Sequence, residues 1–306
     1  MDDLVSTIRE VLKKFYAIES NDISRLPHGH TNHNFLVTAK NLYIIKALNP
    51  QYEEEMIYKE IDFLKYLKKH EFPLVMALKN NKGTHLVNYK KRFFVVYPYF
   101  EHDLNGVTFE NAEDVGALYG RLHNIPVPNH LSPRPDRRMI WKELLESKDK
   151  AIVDFFKKEF LVLEEKISHK KLPKSIIHAD AWAPNFLTKN NSTVFLDWES
   201  VDIHHRLLDL ACAARGICYE EEEFDYDLYN TFLRGYTSEV QLTQTEKDTL
   251  YEYILYYLLW ATSWRYVMFE IRKERKDIYV SYTDHKKKYE SLRALGKEAF
   301  MNKLQL

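Results

Sequence analysis

The chain has 306 residues, with 44 basic side chains against 45 acidic ones and two cysteines. That length suits two lobes rather than one small domain, and the balanced charge excludes the one-signed field with which proteins collect nucleic acid. The longest uncharged apolar run, residues 253–264, is too short to span a bilayer. A Met-Asp-Asp start without a basic–apolar secretory pattern, and Cys212 and Cys218 outside any Cys-x-x-Cys spacing, lead to the expectation of a soluble cytoplasmic protein with free thiols.

Taken in chain order, residues 4–16 predict a helix. Residues 27–37, carrying Gly29, Asn32 and Asn34 at the bend, predict strand–turn–strand. Leu42-Tyr-Ile-Ile-Lys46 is an apolar strand ending in a lysine, and Ile57, Ile61, Phe63, Leu64 and Leu67 follow at helical period. A hairpin, a strand lysine and a helix carboxylate, Glu60, are the parts with which a protein-kinase fold holds nucleotide phosphates. The single glycine of the bend rules out Gly-x-Gly-x-x-Gly. His28, His30 and His33 lack familiar metal spacing and lack a cysteine or carboxylate partner, so loop residues are expected there rather than a metal.

Arg92-Phe-Phe-Val-Val-Tyr97-Pro98 reads as a buried strand stopped by proline. Proline offers a carbonyl and no N–H, so the Pro98 carbonyl and the Phe100 N–H are the expected contacts of a purine, with Tyr97 behind it. The first lobe is expected over residues 1–100 and a mainly helical second lobe over 101–306. In the second, a helix after Asn111 carries Val115, Leu118 and Leu122 and stops before Pro126. A proline-punctuated loop runs over residues 125–138, and helices follow over 141–145 and 153–167.

The most informative stretch comes next: His178-Ala-Asp180-Ala-Trp-Ala-Pro-Asn185, then Val194-Phe-Leu-Asp197-Trp-Glu199. Phosphoryl transfer needs an Asp to accept the attacking hydroxyl's proton, and an Asn and a second Asp to hold magnesium on the phosphates. The spacing fits a loop holding Asp180, then a hairpin opened by Asn185, turned at residues 189–192 and returning towards Asp197. The bland alternative makes Asp180 and Asn185 turn formers and Asp197 a helix cap.

Three further features close the chain. The acidic run at residues 220–227 reads as a solvated loop or helix start, or as a cradle for a polycationic substrate. Thr243-Gln-Thr-Glu246 is a capping box opening a long helix through Tyr266. That helix sets Tyr253, Tyr256 or Tyr257, Trp260 and Trp264 at three- and four-residue steps on one face, a core stripe or an aromatic box for an amine-bearing acceptor built on Tyr256, Trp260 and Trp264.

These motifs, with Gly116-Ala-Leu-Tyr-Gly-Arg-Leu-His123 and Arg206-Leu-Leu-Asp209, resemble the aminoglycoside phosphotransferase and choline kinase family. The resemblance covers nearly the whole chain. It implies an α+β, two-lobed protein-kinase-like fold with a small antiparallel-sheet N-lobe and a larger, mainly helical C-lobe. It also implies a small-molecule kinase that uses Mg2+ and ATP or GTP on a hydroxyl of a small polar, amine-bearing acceptor of the aminoglycoside, homoserine or amino-alcohol type, with no nucleic-acid or membrane partner expected. By the resemblance Asp180 is the base, Asn185 and Asp197 hold magnesium, Glu199 reaches a second ion and Asp209 braces the catalytic loop. His-Ala-Asp and Phe232-Leu-Arg-Gly235-Tyr236 resemble the bacterial homoserine kinase branch, whereas residues 198–206 lean towards choline-kinase-like members. The competing readings are a catalytically silent kinase-like binding or coat protein, and a protein kinase. The first usually lacks one of the lysine, Asp, Asn and second Asp, all present here. The second would need Asp-Phe-Gly and Ala-Pro-Glu segments, which are missing.

Overall fold

In a computed structural model of the chain, residues 2–26, 32–50, 52–129, 139–190, 192–273 and 281–306 are described. Contacts divide it into two compact units, Met1–His102 with Val194–Glu199, and Asp103–Thr193 with Ser200–Leu306.

The first unit opens with helix α1 (Asp2–Tyr16) and a five-stranded antiparallel sheet in the order β1-β2-β3-β5-β4. Its strands are β1 (Asp22–Arg25), β2 (His33–Thr38), β3 (Leu42–Ala47), β4 (Val87–Tyr89) and β5 (Arg92–Pro98). Helix α2 (Glu54–Lys69) lies between β3 and β4 in sequence. Strand side chains alternate between faces, and the register makes that concrete. Phe35, Ile45 and Val96 are cross-strand partners, and Ile8, Val11 and Leu12 of α1 share their buried cluster. One residue along, Asn34, Lys46 and Val95 align and so face the opposite way, and Val95 clusters with Ile57 and Ile61 of α2. The sheet therefore presents Lys46 on its α2 side.

Residues 194–199 rejoin this unit although they are distant in sequence. Leu74 bridges Phe195, and the Phe72 ring meets those of Phe195 and Trp198 edge-on at 5.9 and 5.8 Å. The Trp198 indole N–H donates to the Phe195 carbonyl at 3.1 Å. These contacts hold the short segment that carries Asp197 and Glu199.

The second unit contains strand β6 (Leu104–Asn105), helices α3 (Ala112–Asn124), α4 (Met139–Leu145) and α5 (Lys150–Ile167), and strands β7 (Lys174–Ile177) and β8 (Phe186–Lys189). Strand β9 (Ser192–Phe195), in which the chain leaves this unit, completes a three-stranded sheet in the order β6-β8-β9. Strand β10 (Asp202–His205) pairs antiparallel with β7, so the loop that carries Asp180 starts directly from a two-stranded ribbon. Then come α6 (Leu207–Ile217), the ribbon β11 (Tyr219–Glu220) and β12 (Glu223–Phe224), and helices α7 (Tyr226–Glu239), α8 (Gln244–Arg265), α9 (Tyr282–Leu295) and α10 (Lys297–Met301).

Helices α3 and α7 touch backbone to backbone. A β-carbon at Gly116 would sit 1.9 Å from the Phe232 carbonyl oxygen, and one at Gly235 would sit 1.9 Å from that of Glu113. No larger residue fits either position, and the close approach sets His123 of α3 beside Tyr236 of α7. The capping box holds as expected: Thr243 Oγ1 accepts from the Glu246 N–H at 3.2 Å, and Glu246 returns the favour to the Thr243 N–H at 2.9 Å. Glu246 also takes a two-pronged bond from Arg206, at 2.6 and 2.7 Å, which ties α8 to the start of α6.

The acidic run is used structurally. Glu220 and Glu223 pair in a ribbon turned at Glu221 (φ 51°), Glu222 meets Lys287 at 2.7 Å, and Asp225 caps α7 through the Leu228 N–H at 2.8 Å. The aromatic residues of α8 do not share one face. Tyr253 and Tyr257 are buried, Tyr256 packs edge-on against Phe160 of α5 at 5.4 Å, and Trp260 and Trp264 remain half-buried. A helix surrounded by neighbours buries aromatic rings all round, so spacing alone misassigns their faces.

Candidate active site

In the first unit the site is built around Lys46. Its side chain is only 10% exposed, and its ammonium meets Asp197 at 2.8 Å and also pairs with Glu199. Burial pulls the ammonium's pKa down, but Asp197, Glu199 and Glu60 outweigh it and hold the group well above the usual lysine range. The lysine expected to lean on Glu60 thus pairs directly with the two carboxylates of the 194–199 segment, while Glu60 adds to their field from α2. Asp197 adopts a left-handed backbone (φ 59°), a strained conformation for a residue with a β-carbon. Its side chain remains 40% exposed, against 15% for Glu199.

Glu199 accepts from three donors. Besides Lys46, the Tyr52 hydroxyl donates at 2.5 Å, and the Asn32 amide donates as well. Asn32 is buried, and its amide oxygen accepts the Asn49 N–H at 2.7 Å, so the end of the predicted hairpin turn is tied to Glu199. Burial and the neighbouring Asp197 push the Glu199 carboxyl up, against the pull of Lys46. Burial and Glu199 likewise keep the Tyr52 phenol protonated, as a donor must be. Tyr52 was not legible in the sequence, where it stands two residues after Pro50 in a stretch with no motif. Asn34 stands opposite Lys46 in the sheet register, and Pro98 ends β5 opposite Tyr43. The Phe100 carbonyl accepts from the His102 ring at 3.0 Å. Gly29, His28 and His30 lie outside the described residues. Among the described residues, no group of three His, Cys, Asp or Glu side chains converges as a metal site.

In the second unit the site is the loop leaving β7. Asp209, fully buried near the start of α6, accepts the N–H groups of His178 and Ala179 at 2.8 and 2.6 Å. It also takes the His123 Nε2 proton at 3.0 Å. A carboxylate only accepts, so Nε2 is the donor, and the Tyr236 hydroxyl donates to Nδ1 at 2.9 Å. One carboxylate, one imidazole and one phenol thereby anchor the loop to three helices.

The loop's other flank rests on Cys212, whose sulfur accepts the Ala181 N–H at 3.0 Å and donates to the Tyr257 hydroxyl at 2.9 Å. Burial pushes that thiol up to about 12, so it stays a neutral hydrogen-bonding group. Helix α6 approaches so closely that a β-carbon at Gly216 would lie 2.0 Å from the Ala181 carbonyl oxygen. Ala179 takes a left-handed φ of 61°, which turns the chain sharply before Asp180. The half-buried Asp180 then accepts from the Asn185 amide at 2.9 Å. That same amide nitrogen also reaches the Asp180 carbonyl at 3.1 Å, which leaves the Asn185 amide oxygen for another partner. Asn185 ends a single 3-10 turn, Ala183–Asn185, from which β8 starts.

A buried carboxylate bracing a strained loop that presents an Asp–Asn pair, with a strand lysine clasped by a carboxylate pair, repeats the organisation of kinase-like phosphotransferases. The sequence profile of the phosphotransferase enzyme family matches residues 22–243. The chain belongs to that family. Among its relatives, a homoserine kinase of Zymomonas mobilis is 24% identical over 243 residues, covering 74% of each chain. Among solved structures, the amicoumacin kinase hAmiN, in complex with AMP-PNP, Ca2+ and Ami, superposes with a TM-score of 0.75 at 16% identity over 97% of this chain and 98% of that one. A microcompartment-associated aminopropanol kinase superposes with a TM-score of 0.77 at 14% identity, over 95% and 97%. The family member described here is a phosphotransferase with the protein-kinase-like fold. Among the described residues, no helix is long and apolar enough to cross a membrane.

Proposed function

We propose that the enzyme transfers the γ-phosphoryl of ATP or GTP to a hydroxyl of a small polar acceptor, with Asp180 receiving the hydroxyl proton. The observation that carries this is the Asp180–Asn185 pair on a loop whose backbone N–H groups end on Asp209. Such a brace fixes the carboxylate before the substrate arrives, and positioning of this kind supplies a large part of phosphoryl-transfer catalysis.

Lys46 takes the nucleotide phosphates, and the pair it forms with Asp197 holds its ammonium in place until they bind. Glu60 balances its charge. The Pro98 carbonyl and Phe100 N–H receive the base, and Asn34 borders the phosphates. Magnesium fits the residues present: the Asn185 amide oxygen and the exposed Asp197 carboxylate are the hard oxygen ligands this ion selects. When bound, it neutralises charge on the transferring group. Glu199, with three donors already on it, serves to position Lys46 and Asn32. Trp260 and Trp264, half-buried on α8, border the acceptor.

Asp180→Asn is expected to lower kcat by orders of magnitude with little change in nucleotide affinity. Incubating the enzyme and this variant with labelled nucleotide and a panel of hydroxyl acceptors tests the reading. Full turnover in the variant removes Asp180 from its role.

A further inference from the structure

Beside the loop that carries Asp180, the second unit gathers positive charge, and among the described residues no carboxylate forms an ion pair with either of the two arginines there. Arg215 of α6 lays its guanidinium over the rings of Trp182 and Tyr257, at 5.8 and 5.5 Å. Trp182 is 40% exposed and lies two residues after Asp180; Tyr257 donates to the Ala179 carbonyl at 3.4 Å. Arg265, at the end of α8, approaches from the other side. Between the two stands His285 of α9, whose Nε2 lies 3.1 Å from Arg215 Nη1 and whose Nδ1 lies 2.9 Å from Arg265 Nη1.

Donor accounting shows that this arrangement is unfinished. A guanidinium only donates, and a neutral imidazole has one accepting nitrogen. At most one of the two contacts is a hydrogen bond; in the other, two donors face each other. Protonating the ring would make both contacts repulsive. Arg215 Nε is also buried with no hydrogen-bond partner, and among the described residues neither guanidinium enters an ion pair.

The local electrostatics point the same way. Burial together with Arg265 and Arg215 depresses His285 to about 2, so the ring is neutral. Burial and Arg215 bring Arg265 down to about 10, and burial and both arginines lower Lys288 on α9. Asp284 pulls against this on Arg265 and Lys288, and Glu222 on Lys288, both from exposed positions. Three cations crowd one place, and a bound anion would satisfy them.

We propose that Arg215 and Arg265 form a fork for a carboxylate of the acceptor, so that the substrate class is hydroxy acids and hydroxy amino acids. This rests on the phosphotransferase reading and narrows it. Guanidinium groups match the planar, two-oxygen geometry of a carboxylate, and one accepting oxygen aimed between them removes the donor–donor conflict at His285. The site stands against the loop that carries Asp180, so an acceptor anchored by its carboxylate keeps its hydroxyl end near that residue. The same charges repel acceptors that are purely cationic, such as amino alcohols and aminoglycosides.

The test compares matched ligands on the full chain. Calorimetry is run with L-homoserine against 3-amino-1-propanol, and with L-serine against ethanolamine, pairs that differ only in the carboxylate; phosphoryl transfer is measured in parallel. The acid of at least one pair is expected to bind about 10- to 100-fold more tightly than its counterpart, the range for a charge-assisted contact. In Arg215→Met and Arg265→Met that preference is expected to fall to near unity, and in Arg215→Lys to an intermediate value, with melting temperature confirming that each variant is folded. Equal affinities within both pairs overturn the proposal, as does a preference that survives both methionine variants. Transfer only to decarboxylated acceptors overturns the fork and leaves the kinase reading intact. Selective binding of the acids with no transfer to any acceptor supports the fork and removes the kinase reading.

Discussion

Replacing Gly216 by alanine probes the contact on which the Asp180 loop depends. The added carbon would start 2.0 Å from the Ala181 carbonyl oxygen, 2.9 Å from its carbonyl carbon and 3.4 Å from the Trp182 α-carbon. Carbon and carbonyl oxygen settle no closer than about 3.3 Å, so the loop or α6 must retreat by roughly 1 Å. The obstacle is backbone, which cannot swing aside as a side chain would. Overpacking of this kind costs about 1–3 kcal/mol, and alanine's better helix propensity returns about 0.5–1 kcal/mol. The net loss of stability is therefore modest, from near zero to about 2.5 kcal/mol. The catalytic effect is larger, because a displacement of about 1 Å at the reacting groups costs on the order of 100-fold in rate. The signature is a folded enzyme with a melting temperature lowered by a few degrees and kcat down by about two orders of magnitude. Steady-state kinetics and thermal unfolding of the same sample read both. Unchanged kcat with a raised melting temperature would refute the reasoning, since it would mean that α6 and the loop are not in contact in solution.

Tyr52→Phe removes one of the three donors on Glu199. Urea denaturation should show a loss of about 1.5–3 kcal/mol, the range for a hydrogen bond to a charged group, and an unchanged midpoint would exclude the contact. Cys212 and Cys218 are fully buried, and burial holds both thiols above their usual range; a thiol reagent should label them only at the rate of unfolding, and fast labelling of the native enzyme contradicts their packing. Burial raises the Glu246 carboxyl, but Arg206 and the Thr243 cap outweigh it and hold the group below its ordinary value of 4.5. A depressed folded-state pKa stabilises above that value and loses its contribution as pH falls through the lower one. Glu246→Gln should therefore cost about 1.5–3 kcal/mol at pH 7, with the gap to the unaltered enzyme closing on acidification below pH 4.5; a gap constant with pH would remove Glu246 as its source.

Local pattern was enough to read the strand ending in Lys46, the α2 helix with its apolar period, the hairpin after Asn185 and the capping box at Thr243. Each is decided by contacts within about ten residues, where propensity, period and turn chemistry act together. The Asp180–Asn185 pair was legible for the same reason, being set by one short loop. What Asp209, His123 and Tyr236 do for that loop was less so: they come from α6, α3 and α7, and only the close α3–α7 approach allowed by Gly116 and Gly235 brings the last two together.

Tertiary structure alone decided three matters. It showed that the strand lysine lies on Asp197 and Glu199, because residues 194–199 fold back onto Phe72 and Leu74. It sorted the aromatic residues of α8, since a helix enclosed by neighbours has no polar face from which to infer the apolar one. It also assembled Arg215, Arg265 and His285 from three helices, one of which, α9, had no distinctive signature. Charges separated by tens of residues reveal their conflict only when the fold sets them 3 Å apart, since electrostatic energy depends on distance in space and not along the chain.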